Sequence, residues 1–95
     1  MEYPIIFERE LTTQRPEGGK IESVELVQGE DGLWQLNVQV SWKGRQTYTV
    51  SKFNQRDIKL YSLAYSALRH IVKDYGYTGR IMLQPYPNKL PKHYF

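Results

Sequence analysis

The chain contains no cysteine. Disulfide crosslinks, thiolate metal sites and a cysteine nucleophile are therefore excluded. Long apolar runs are also missing, and nothing approaches the ~18 consecutive apolar residues of a membrane span. The opening Met1-Glu2-Tyr3-Pro4-Ile5-Ile6-Phe7 has neither a basic n-region nor the apolar stretch of a signal peptide. No membrane partner is expected, and the expected location is cytoplasmic. Only two histidines occur. No metal-ligand spacing, nucleophile elbow or dinucleotide fingerprint accompanies them. Gly18-Gly19 lacks the following helix and lysine that a phosphate loop requires. Neither a metal nor a cofactor is expected.

What is present describes a folded domain. Ninety-five residues make one domain. A composition of 40% hydrophobic and 24% charged residues is that of a chain able to bury a core. The net charge of +3 hides a gradient. Residues 1–31 hold eight acidic and three basic residues, net −5, and residues 32–95 hold ten basic and two acidic, net +8. Such a chain either presents a basic surface or neutralises it with its own acidic segment.

Periodicity orders the elements as β-β-β-β-α-β. Residues 4–13 predict a strand with Ile6 on one face and Ile5 and Phe7 on the other. Residues 15–20 are a turn rich in Gly and Pro. Residues 21–28 predict a strand with Val24 and Leu26 on one face and Ile21 and Val27 on the other. Gly29-Glu30-Asp31-Gly32 then makes a hairpin connection. The strongest pattern follows. Trp34, Leu36, Val38, Val40 and Trp42 alternate with Gln35, Asn37, Gln39 and Ser41, giving a strand with one dry and one wet face. The tryptophans would anchor the core at its ends.

After Lys43-Gly44-Arg45, residues 46–53 predict the next strand. Opposed residues of an antiparallel pair share a face, so Tyr48 and Val50 join the tryptophan face only if paired positions sum to an even number. A three-residue loop that pairs Val40 with Tyr48 and Val38 with Val50 meets this condition. Asn54 and Asp57 stand where an N-cap and a first-turn acid belong. Helical spacing runs from there to Tyr75, with Lys59, Ser62, Ser66, Arg69, His70 and Lys73 on the polar side. Gly76 suits the position after the helix. A last strand covers residues 80–84. Pro85, Pro87 and Pro91 impose an extended tail over 85–95. The expected fold is α+β: an antiparallel sheet of four or five strands with one long helix on one face.

An acid–base role for His70 would need a pocket in which it stands beside a carboxylate. His70 and Asp74 are spaced i, i+4 and read as a weak surface pair. Glu8 and Glu10 read as an exposed strand edge. The chain is accordingly expected to be a non-catalytic binding module. Lys43, Arg45, Lys52, Arg56, Lys59, Arg69 and Lys73 form the candidate nucleic-acid surface, because lysine and arginine displace counterions from phosphates. The amides and hydroxyls of Gln35, Asn37, Gln39, Thr47 and Thr49 are candidate base contacts. Asp31-Gly32-Leu33-Trp34 and Trp42-Lys43-Gly44-Arg45, followed by a helix, loosely resemble in layout the three-stranded-sheet-plus-helix DNA-binding modules of tyrosine-recombinase arm domains and plant AP2-type factors. The resemblance covers about half the chain and implies DNA binding. The alternative is a protein-interaction module or homodimer that uses an edge strand or the tail, with Tyr86, Tyr94 and Phe95 as partner-binding residues.

Overall fold

Trp34–Val40 forms strand β3, the axis on which the rest is arranged. The computed structural model describes residues 3–52 and 57–87. The β3 alternation does what its pattern implies on one side, since Leu36, Val38 and Val40 are fully buried. Strand β2, Ile21–Gln28, lies antiparallel to it and pairs Val24 with Val38 and Leu26 with Leu36. Gly32 closes the connecting turn at a φ of +86°. That conformation is open to glycine at no steric cost.

Ile21 corrects the sequence expectation. It faces the core together with Val24 and Leu26 because the register shifts between Ile21 and Ser23. A bulge adds one residue to the strand, which reverses the alternation beyond it. Simple counting by twos therefore puts Ile21 on the wrong side.

Strand β4, Tyr48–Ser51, is antiparallel to β3 with Val38 opposite Tyr48 and Asn37 opposite Thr49. The even-sum rule holds, and Tyr48 and Val50 are buried in the core. The register is nevertheless displaced by two residues from the expected one, because the connection is longer than three residues. Ser41 is drawn to the segment before β2 instead. Its N–H donates to the Lys20 carbonyl at 2.9 Å, and its hydroxyl accepts from the Lys20 N–H at 2.9 Å. Trp42 leaves the strand with it and lies over Gly19. Both tryptophans are half-buried against the core instead of sealed within it.

The N-terminal segment is a short strand, β1, Ile5–Phe7, followed by one helical turn, α1, Glu8–Leu11. The expected strand over residues 4–13 is thus cut short. A Glu-Arg-Glu run has no apolar alternation to bury. Glu10 instead turns back and accepts the Phe7 N–H at 2.9 Å. β1 runs parallel to β4, with Ile6 opposite Val50.

The largest correction concerns the helix. Residues 57–61 are extended, and α2 spans only Ala64–Lys73. Ile58 bridges Ser51, and β5, Leu60–Tyr61, pairs with Gln35 and Trp34 of β3. β4 leaves the first residues of β3 open on the edge away from β2, and β5 takes that edge. A free strand edge close to the helix-forming segment outweighs helical periodicity there. Asp57 lies outside the helix, and the candidate cap Asn54 lies outside the described residues. Gly76, at a φ of +68°, reverses the chain beyond α2 as expected.

Strand β6, Ile81–Gln84, returns parallel to β2. The sheet is therefore mixed, in the order β1-β4-β3-β2-β6, with parallel pairs at both edges and antiparallel pairs between. α2 packs on the side of the sheet that carries Leu36 and Val38 and buries Ala67 and Ile71, with Tyr75 just beyond. Among the described residues, no helix is long and apolar enough to cross a membrane.

A Cβ at Gly19 would lie 2.6 Å from Trp42 Cε3 and 3.0 Å from the Pro16 carbonyl oxygen. Gly19→Ala is expected to cost about 1–3 kcal/mol, the usual scale of overpacking. A lower denaturant midpoint with red-shifted tryptophan emission is the expected readout. An unchanged midpoint would show that Trp42 is not held there.

Candidate functional site

The helical turn α1 aims the Glu8 carboxylate at the end of α2. Glu8 Oε2 accepts from Lys59 Nζ at 2.8 Å and from the Tyr75 hydroxyl at 2.8 Å. It also lies 3.1 Å from His70 Nε2. His70 Nε2 is equally 3.1 Å from Asp74 Oδ2, so the i, i+4 pair legible in the sequence does form. On its other side, His70 Nδ1 meets the Tyr61 hydroxyl at 2.7 Å. With a proton on Nε2 facing the carboxylates, Nδ1 is left to accept from Tyr61.

The electrostatics follow from this crowding. Burial works against charge on Glu8, but hydrogen bonds from Lys59 and Tyr75, the Lys59 charge and the facing His70 ring outweigh it. Its carboxyl is held below the usual 4.5. Burial drives the Tyr61 hydroxyl well above its ordinary value, helped by the Glu8 charge. Tyr75 is raised by burial, then by Tyr61 and by its bond to Glu8. Both phenols stay protonated at neutral pH and act as donors. The cluster has the group types of acid–base chemistry. Its donors and acceptors are directed at one another, however, and it joins three separate elements: α1, β5 and the end of α2.

Sequence reasoning placed His70 and Lys59 on a solvated helix face. Their side chains are only 20% and 18% exposed. Glu8, Lys59, Tyr61 and Tyr75 lie too far apart in the chain for any local pattern to announce them.

The seven basic residues are divided by the fold. Lys59 is consumed by Glu8. Lys43 is consumed by Glu10 at 3.0 Å and lies 5.2 Å from the Tyr48 ring centre. Arg45, Lys52, Arg69 and Lys73 are exposed and make no ion pair with a described residue. Arg56 lies outside the described residues. Arg69 and Lys73 stand one turn apart on α2. With Tyr65, Ser66, His70, Asp74 and Tyr61 they line an open depression of about 320 Å³. Tyr65 is 68% exposed there.

The face of the sheet opposite α2 is not the wet face expected. Asn37 and Thr49 are each only 2% exposed. Asn37 Oδ1 accepts from Thr49 Oγ1 at 2.9 Å and from Gln35 Nε2 at 3.1 Å. Asn37 Nδ2 donates to Glu25 at 3.3 Å, and Gln39 Nε2 donates to Thr47 at 3.1 Å. These amides satisfy one another, which takes from them the donors that a base edge would need. In the tail, Tyr86 is half-buried and its N–H donates to Gln28 Oε1 at 3.1 Å. Tyr94 and Phe95 lie outside the described residues. Comparison with protein-family models, with curated proteins and with solved structures gave no match.

Glu8→Gln is expected to lower stability at neutral pH by about 2 kcal/mol, since it leaves charged partners without their carboxylate. A depressed carboxyl stabilises the fold above its unfolded value of 4.5 and loses that contribution as pH falls through the folded value. The variant should therefore decline less than wild type on acidification below 4.5. Denaturant midpoints measured across pH read both effects. Parallel acid limbs in the two proteins would rule out the network as the source.

Proposed function

We propose that the chain is a small non-catalytic binding module for nucleic acid, engaged by the outward face of α2. The observation that carries this reading is the depression in which Arg69, Lys73, Ser66 and the exposed ring of Tyr65 come together. Cations displace counterions from a phosphate backbone, and a hydroxyl donates to phosphate oxygens. An exposed aromatic face offers a base something to stack on, whatever its sequence. That combination favours single-stranded nucleic acid over a duplex, whose bases are already stacked. Arg45 and Lys52 add charge beyond the helix.

The sorting of charge supports the same reading. Glu8 and Glu10 neutralise the two lysines that point inward, so those acids are not spent on Arg69 and Lys73. Asp74, the acid nearest these two cations in the depression, is turned toward His70. The saturated Glu8–His70 network supports a structural role for the histidine, because its ring nitrogens are already engaged by Glu8, Asp74 and Tyr61.

Binding of a generic single strand is expected to weaken with salt. Four available cations imply a slope of log K against log salt of about −3. Arg69→Ala with Lys73→Ala should halve it. Tyr65→Ala should cost about 1–3 kcal/mol in affinity without changing the slope. Lys43→Ala should leave the slope as it is, because Glu10 already holds that charge. No affinity at low salt would end the proposal.

A further inference from the structure

The outer edge of β6 has no partner strand among the described residues. Edge strands are ordinarily blunted by charge, proline or cover, since their free N–H and C=O groups pair with any extended chain. Ile81-Met82-Leu83-Gln84 contains neither a charge nor a proline. Its apolar side chains are open on both faces of the sheet, with Met82 66% and Leu83 49% exposed.

We propose that β6 is a dimer interface and that its occupant is β6 of a second copy, antiparallel about a two-fold axis through Met82. The register follows from the residues. A two-fold axis perpendicular to the sheet pairs positions of equal parity, so residues of the same face meet. Centred on Met82, it sets Met82 against Met82 of the second copy, and Ile81 against Leu83 on the helix side. Arg80 then meets Gln84, so no like charges are opposed. Pro85, which has no N–H to donate, falls opposite Gly79, beyond the ends of the strand. Centring on Leu83 would instead place Pro85 opposite Ile81. A half-step shift that opposes Met82 and Leu83 would set Ile81 against the Gln84 amide. Centring on Met82 matches apolar with apolar at every strand position that carries an apolar side chain. This self-complementarity argues for a second copy rather than an unrelated strand. The inference is independent of the nucleic-acid reading, which uses Tyr65, Arg69 and Lys73.

Light scattering or sedimentation of the full chain should give twice the chain mass, up to a concentration of about 1 mM, where the weakest specific associations persist. Met82→Lys places two like charges face to face on the axis and should return the monomer with its circular dichroism unchanged, since the side chain is mostly solvent-exposed. Leu60→Lys, an exposed apolar residue away from β6, should leave the dimer intact. The absence of cysteine supplies a second readout. Met82→Cys should form an intermolecular disulfide under mild oxidation, because opposed Cβ atoms in an antiparallel pair are close enough to bridge. A monomeric wild type at the highest concentration, or a Met82→Lys chain that remains dimeric, would overturn the proposal. Failure of Met82→Cys to crosslink in a dimeric protein would overturn the register.

Discussion

One carboxylate oxygen, Oε2 of Glu8, is the point where the N-terminal turn, the residue leading into β5 and the end of α2 meet. The groups it binds come from two distant stretches of chain, and each is largely withdrawn from water. A carboxylate in such a place is stabilising only when its charge is answered, and Lys59 and two hydrogen-bond donors answer it. The arrangement also explains the shape of the C-terminal half. Lys59 and Tyr61 reach Glu8 and His70 from an extended segment that runs alongside β3. A helix through residues 57–61 would have no means of placing both beside that edge while also pairing with Gln35 and Trp34.

The same interaction resolves the charge gradient along the chain. An acidic first third and a basic remainder allow two outcomes, a basic surface or internal neutralisation, and the fold uses both. Glu8 and Glu10 take Lys59 and Lys43, which lie near the core, while Arg45, Lys52, Arg69 and Lys73 stay outside. The exposed basic surface is therefore narrower than a count of lysines and arginines implies. The helix face, not the sheet face, is where cations and an aromatic ring converge. On the sheet face, Asn37 and Thr49 sit in the middle of a ladder of amides and hydroxyls whose hydrogen bonds run among themselves. A polar residue at an alternating position is evidently not the same as a polar residue in contact with water.

Much of the architecture was legible because it rests on short-range periodicity. The strand over Ile21–Gln28 and the buried side of Trp34–Val40 follow from alternation, and the even-sum rule put Tyr48 and Val50 on the correct face. What failed did so where a long-range partner overrode the local pattern. Lys20 captured Ser41 and lengthened the loop. A bulge reversed Ile21. The edge left free by β4 drew Leu60 and Tyr61 out of the helix. Of the Glu8 cluster only the His70–Asp74 spacing was visible, since a helix brings i and i+4 together without help from the rest of the chain.

By itself the sequence determined the α+β class, the absence of thiol chemistry, the central strand and its buried face, and the identity of the helix that covers it. These depend on composition and on periods of two and 3.6 residues, which the backbone imposes locally. Tertiary structure alone decided that the edge strands run parallel to their neighbours, that Glu8 gathers groups from more than 50 positions away, and which cations face outward. Those outcomes depend on which distant segments compete for the same hydrogen-bonding edge and the same charge. No window of neighbouring residues contains that competition.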